Sequence, residues 1–243
     1  MYQPPVISSS PQYASDPQRD LSPLHDSWVL PEHTRTDGFL VGVLRRLRRE
    51  LRRRQVGRAY DMALEIARLI PNGPRLLDIG CGNGYIAHHL SAMLLADVTG
   101  IDLQHKTDAP INYRQYDGAR FPIVDASFDA ALLCYVLHHT QDLEIVLAEL
   151  RRVLCNGGLA VVYEDIPETS WDRLVCAIHN RKWRKRTGPC TFLTEAEWRA
   201  VFATHGFEVV SERKLSRWRK IVHPVRRRRF LLRMKSTPWS AAA

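Results

Sequence analysis

Residues 76–87 read LLDIGCGNGYIA: an apolar run, an aspartate, then glycines at 80, 82 and 84. Missing side chains let a backbone turn sharply and come close to a ligand. A dinucleotide loop has the spacing GxGxxG, which would need glycine at 85, where Tyr85 stands. Asp78 precedes the first glycine by two residues, and a carboxylate there repels a diphosphate. No lysine follows in the manner of a GxxxxGK[ST] phosphate loop. The helix expected to open at Tyr85 still presents a positive N-terminus, which suits a ligand with its own carboxylate. Asp102 lies 22 residues after Gly80, at the expected end of the next strand, where an acid accepts from both hydroxyls of a ribose. The residues ask for a ribose without a diphosphate, with a cationic group near Asp78.

Outward from this loop the elements alternate. RLLDIG (75–80), VTGID (98–102), INYRQYD (111–117), FDAALLCY (128–135) and GLAVVYED (158–165) read as strands. Helices are predicted over Arg58–Leu69, Tyr85–Leu95 and Asp142–Leu154. This is the βαβ rhythm of a parallel sheet with helices on both faces. LQHKTDAP, between Asp102 and Ile111, is too short for a standard crossover helix. Thr194 and Glu197 form a capping box for a helix to about His205. The strands FEVVSERK (207–214) and RRFLLRMK (228–235) follow, with no crossover helix between them, so an antiparallel pairing is expected.

The rhythm stalls for 28 residues between Ile166 and Leu193. Trp171, Leu174, Val175 and Ile178 fall at helical spacing there. They predict a lid with an apolar face over a substrate; the alternative is a helix that only covers the sheet edge. Residues 1–37, rich in Pro, Ser, Asp and Gln, read as an extended or disordered arm, and 236–243 as a tail. Residues 38–56 read as a basic amphipathic helix whose Leu40, Leu44, Leu47 and Leu51 share one face. Such a helix can dock on its own domain or lie on a membrane surface. The main domain then spans 57–235.

The chain has 243 residues, enough for one well-buried α/β domain. Its net charge of +9 is clumped at Arg45–Arg58, Arg181–Arg186 and Arg213–Arg233, which attracts anionic surfaces. Cys81, Cys134, Cys155, Cys176 and Cys190 show no CxxC spacing, so zinc-knuckle and thioredoxin-like readings fail and a reducing compartment is expected. His138-His139 is a vicinal pair and not an HExxH motif, and no metal-ligand set is legible. The N-terminus lacks the pattern of a secretory signal, and no apolar segment reaches membrane-spanning length. A cytoplasmic or membrane-associated chain is expected.

The sequence from 57 to 235 resembles the class I S-adenosylmethionine-dependent methyltransferases, in the small-molecule (type 11-like) branch. LLDIGCGNG matches that family's first motif, FPIVDASFDAALLCYVLHH its fourth-strand run, and LAELRRVLCNGGLAVVYED the helix, turn and fifth strand. The resemblance implies a Rossmann-like, doubly wound seven-stranded α/β sheet, mostly parallel with an antiparallel last strand. It implies S-adenosyl-L-methionine as cofactor. Gly80, Cys81, Gly82 and Gly84 would lie against its methionine part and ribose. Asp78 would orient the amine, Asp102 would hold the ribose, and Asp117, Gly118 and Ala119 would close on adenine. Leu103 would pack beside adenine, and Tyr135 would line the site. His138, His139 and Asp165 are the acceptor-side, catalytic candidates. The expected reaction is in-line methyl transfer to a small-molecule or lipid-like acceptor, anionic in view of the arginines. A nucleic-acid (RNA) methyltransferase and a non-catalytic cofactor-binding protein remain as alternatives. The sequence leaves oligomeric state and the acceptor atom open.

Overall fold

The structure is a computed structural model that describes residues 39–216 and 223–236. The expected arm at 1–37 and tail at 237–243 lie outside the described residues. The chain divides into two compact units, Met1–Gly57 and Arg58–Ala243. One helix, α1 (Phe39–Ala67), crosses that boundary where two helices were expected. Gly57 is the break signal between the two, and one glycine costs a helix about 1 kcal/mol, too little to stop it. In the first unit Leu44, Leu47 and Leu51 are exposed, and Arg54 pairs with Glu50 one turn earlier at 3.0 Å.

In the second unit β1 (Arg75–Ile79), α2 (Tyr85–Leu94), β2 (Asp97–Asp102), β3 (Asn112–Gln115) and β4 (Phe128–Cys134) come first. They are followed by α3 (Leu143–Val153), β5 (Leu154–Ile166), α4 (Ser170–Thr187), α5 (Glu195–Thr204), β6 (Phe207–Leu215) and β7 (Arg226–Met234). The seven strands form one sheet in the order β3-β2-β1-β4-β5-β7-β6. β1 to β5 pair in parallel, while β7 runs antiparallel to both β5 and β6. The expected mostly parallel sheet with an antiparallel last strand is what forms.

Strand residues alternate between two apolar layers. Leu77, Ile79, Ala131, Leu133 and Val162 pack with Val146, Leu147 and Leu150 of α3 and Trp198 and Phe202 of α5. Leu76, Ala130, Leu132 and Val161 face Ala63 and Ile66 of α1 and Ala87, Leu90 and Leu94 of α2. A parallel sheet covered on both faces needs near-continuous apolar strands, which is how β1 and β4 read. Each fully buried leucine contributes about 1.5–3 kcal/mol. Helix starts are fixed locally: Asp142 accepts from the Ile145 amide at 3.0 Å, and Thr169/Asp172 and Thr194/Glu197 form capping boxes.

Two expectations change. The four arginines Arg226–Arg229 are part of β7, between β5 and β6, so from Arg227 on their side chains enter the covered faces of the sheet. Arg227, Arg228 and Arg229 are buried. Arg227 pairs with Asp165 at 3.0 Å, Arg228 with Glu195, and Arg226 with Glu168 at 3.4 Å. Arg229 donates to the Ser211 hydroxyl at 3.3 Å, while Arg226 stays exposed, so three of the four arginines leave the surface. The insertion helix α4 is longer than expected and turned differently. Asp172, Val175 and Cys176 are its buried side, whereas Trp171, Leu174 and Ile178 are exposed. Of the expected apolar row, Val175 points inward and the other three point to solvent.

Candidate functional site

The carboxyl ends of parallel strands are where ligands bind in such sheets, and the predicted residues gather there. Asp78 is the second-last residue of β1 and is 2% exposed. Its Oδ2 is buried without a hydrogen-bond partner. Burial, and then the neighbouring Asp102, push its carboxyl up to about 8. A buried acid without a counter-charge is costly, and a cationic ligand group relieves that cost.

The loop after Asp78 turns through three left-handed glycines, at φ of 68°, 55° and 76° for Gly80, Gly82 and Gly84. A Cβ on Gly80 would lie 2.5 Å from Val136 Cγ2, so glycine is required for packing. A Cβ on Gly82 would meet nothing within 4 Å, so that backbone is bare toward open space. Cys81 turns inward. Its Sγ would lie 2.8 Å from a Cβ on Gly100 of β2, and burial raises its thiol pKa well above the ordinary range. It is a small packing residue of the loop.

Asp102 closes β2. Its Oδ2 accepts from the Gly82 amide at 2.8 Å and its Oδ1 from the Gln104 amide at 3.2 Å. The glycine loop and the expected ribose acid are thereby one hydrogen-bonded unit. The segment without a crossover helix is laced to the same loop. The Ala109 amide and the Thr107 hydroxyl both donate to the Asn83 carbonyl, at 2.9 and 3.0 Å. The missing helix is thus replaced by a strap over Asn83, a contact that the sequence analysis did not foresee. Beyond β3, Asp117 Oδ1 accepts from the Ala119 and Arg120 amides, which hold its carboxyl below the usual range. A Cβ on Gly118 would touch Leu103 Cδ2 at 3.4 Å, so Leu103, Asp117, Gly118 and Ala119 share one corner. Leu103 is itself half exposed.

At the end of β4, Tyr135 has a left-handed backbone, φ 63°, pinned by its amide to the Tyr163 carbonyl at 2.9 Å. The Arg227 guanidinium lies 5.8 Å from the centre of its ring. A one-turn 3₁₀ helix, Leu137–His139, follows. His138 is buried, and its Nδ1 lies 2.5 Å from Glu164 Oε2. His139 Nε2 lies 3.2 Å from His179 Nε2 of α4. Burial, with His138 and His179 beside it, lowers the His139 pKa to about 3. An imidazole of that basicity is unprotonated at neutral pH and is a weak proton acceptor.

Asp165 is also spoken for. It is buried, pairs with Arg227 at 3.0 Å and takes His223 Nε2 on its other oxygen at 2.7 Å. It braces β5 against β7. Adjacent strand residues point to opposite faces, so of Glu164 and Asp165 only one can meet His138, and it is Glu164. That alternation was the available signal for Glu164. His179, 40 residues from His139, carried none.

A family profile described as a methyltransferase domain matches residues 77–162. An uncharacterised methyltransferase of Mycobacterium bovis is 32% identical over 146 residues, 51% of this chain and 72% of that protein. The arginine-hydroxylase NDUFAF5 of Rattus norvegicus is 29% identical over 167 residues, 65% of this chain and 44% of its own. The 27-O-demethylrifamycin SV methyltransferase of Amycolatopsis mediterranei is 37% identical over 99 residues, 35% of this chain and 36% of its own. The chain thus spans less than half the length of the last two. A solved S-adenosylmethionine-dependent methyltransferase from Methanosarcina mazei superposes with a TM-score of 0.57 at 20% identity, over 71% of this chain and 97% of that one. Among the described residues no helix is long and apolar enough to cross a membrane. The sheet order, the glycine loop tied to Asp102 and the matched run from β1 to β5 agree: the chain belongs to the S-adenosylmethionine-dependent methyltransferase family.

Proposed function

We propose that the chain transfers a methyl group from S-adenosylmethionine to a small-molecule or lipid-like acceptor. The observation that carries this reading is the buried, unpartnered Oδ2 of Asp78 beneath a bare glycine backbone. Asp78 would take the methionyl ammonium, and the backbone from Gly80 to Gly84 would lie against the methionine part and ribose. A carboxylate has about four acceptor directions. Asp102, which uses two on amides, keeps capacity for the ribose hydroxyls. Asp117 and Ala119, with Leu103 and Gly118 beside them, would receive adenine, and Tyr135 would close the β4 side.

S-adenosylmethionine, when held there, would supply an electrophilic methyl on a sulfonium able to leave with the bonding electron pair. The chain's work is then chiefly alignment, and alignment alone is worth several kcal/mol of barrier. An acceptor without an acidic proton needs no base. His138 and His139, at the β4 exit, would border the acceptor.

A small-molecule acceptor is supported by the name of the Amycolatopsis relative and by the burial of Arg227, Arg228 and Arg229, which removes three arginines from the surface. The exposed arginines of the first unit would suit an anionic lipid surface. Labelled methyl transfer from S-adenosylmethionine to fractionated metabolite, lipid and RNA pools tests the reading. Label in the metabolite or lipid pool is expected. Label in RNA alone, or cofactor binding with no labelled pool, overturns it.

A further inference from the structure

We propose that His138, His139 and His179 bind one divalent transition-metal ion of the zinc class. Each offers one ring nitrogen, and the three ligand atoms lie within 4.8 Å of one another. His139 Nε2 and His179 Nε2 face each other at 3.2 Å. Two nitrogens on a tetrahedral zinc with ordinary bond lengths of 2.0–2.1 Å stand about 3.3 Å apart. The pair is therefore already at ligand spacing.

The surroundings are those of a coordinating imidazole set. A ligating histidine commonly gives its other nitrogen to a carboxylate or another acceptor, which fixes the ring and its tautomer. Glu164, fully buried, lies 2.5 Å from His138 Nδ1 and so designates Nε2 as the ligand atom. Thr187 Oγ1 and Cys190 Sγ lie 3.3 and 3.4 Å from His139 Nδ1 and leave its Nε2 to the centre. Phe192 stacks on His138 at 5.0 Å, and Trp183 borders both His139 and His179. Aromatic walls of this kind keep water out and strengthen coordination.

The donor set selects the ion. Three imidazoles without a carboxylate suit zinc, cobalt, nickel or copper and disfavour magnesium and calcium. Three protein ligands leave a coordination position for water or for an oxygen of a small molecule, the pattern of an open and not a structural site. The ligands come from two places: the 3₁₀ turn after β4 and the insertion helix α4. A bound ion would tie that insertion to the end of the sheet. Metal binding stands whether or not the chain transfers methyl groups.

The test uses the full chain, expressed without a polyhistidine tag, stripped with a chelator and titrated with Co²⁺. One equivalent should produce the intense visible absorption of a low-symmetry, four- or five-coordinate site, and Zn²⁺ should abolish it. His139→Ala and His179→Ala should each weaken binding at least 100-fold. His105→Ala, which removes an exposed histidine bonded to Gln115, should leave it unchanged. Zn²⁺ should raise the melting temperature of the parent chain and leave that of His179→Ala in place, which separates lost ligation from lost folding. No saturable binding by the parent chain overturns the proposal and leaves a packed aromatic cluster. Binding of equal strength in both histidine variants overturns it as well, because the ion then sits elsewhere.

Discussion

Glu164 holds two groups at once: Oε2 lies 2.5 Å from His138 Nδ1, and Oε1 accepts the Leu137 amide at 2.9 Å. Both contacts are buried. One carboxylate therefore sets the 3₁₀ turn after β4 and the tautomer of its first histidine. Glu164→Ala strands two buried donors and should lower stability on the order of 2–4 kcal/mol in urea denaturation. Glu164→Gln keeps an acceptor for Leu137 but turns an NH₂ toward Nδ1, which makes Nδ1 the acceptor and moves the ring proton to Nε2. That variant should keep most of its stability and lose affinity for Co²⁺. An alanine variant with the parent's denaturation midpoint would contradict this account.

Asp78 makes the ligand-free chain sensitive to pH. Its carboxyl is raised from an ordinary 3.8 to about 8 by burial and by Asp102. Below 3.8 both folded and unfolded chains hold the proton, and the group's favourable contribution is complete. Between the two values the folded chain holds a proton that the unfolded chain releases, so stability falls as pH rises, by at most about 1.4 kcal/mol per pH unit. Above 8 the loss is complete. Asp78→Asn removes this slope, and its stability relative to the parent should climb steadily from pH 4 to pH 8 in urea titrations. A cation placed against Asp78 returns the carboxyl to its ionised form. Cofactor binding at pH 7 should therefore release close to one proton that the Asn variant does not, read by calorimetry in two buffers. Equal proton release in both chains would show that no cation faces Asp78.

The first and second glycines of the loop should fail in different ways. Gly80→Ala puts a methyl 2.5 Å from Val136 Cγ2 at φ 68°. Overpacking and left-handed strain together should cost about 2–5 kcal/mol. Adding Val136→Ala should recover the packing part only. Gly82→Ala meets nothing within 4 Å, so it suffers the backbone strain alone, about 1–2 kcal/mol. Its methyl enters the open side of the loop, and cofactor affinity should fall by more than its stability loss suggests. Equal stability losses in the two variants would mean that Val136 does not pack on the loop.

What the sequence displayed and what it hid divide along contact distance. β1, the glycine loop, Asp102 and the Thr194/Glu197 capping box are local patterns, read from neighbours a few residues apart, and they appear in place. Thr194 caps the helix it was expected to cap, and Asp142 caps the helix expected to begin there. The residues that were misread make their decisive contacts far along the chain. Arg226–Arg229 looked like a basic surface because Asp165 and Glu195 are distant in sequence. The partner of His139 was hidden because nothing local announces His179. The exposed row on α4 has the spacing of a buried face, and periodicity alone does not say which side the sheet takes.

Asp102 offers the sharpest test of the cofactor's place. Its two oxygens hold the Gly82 and Gln104 amides at 2.8 and 3.2 Å, so the acid both shapes the loop and presents its remaining lone pairs. Asp102→Ala should weaken S-adenosylmethionine binding by about 1–3 kcal/mol, the cost of leaving hydrogen-bonding groups without partners. A general loosening of the loop would give the same loss, so a second ligand is needed. An analogue lacking both ribose hydroxyls should bind the parent chain as weakly as the Asp102→Ala variant binds the natural cofactor. The same analogue should lose little further in the variant itself. That non-additivity is the mark of a direct contact. If the two losses simply add, the ribose lies elsewhere and Asp102 serves the loop alone.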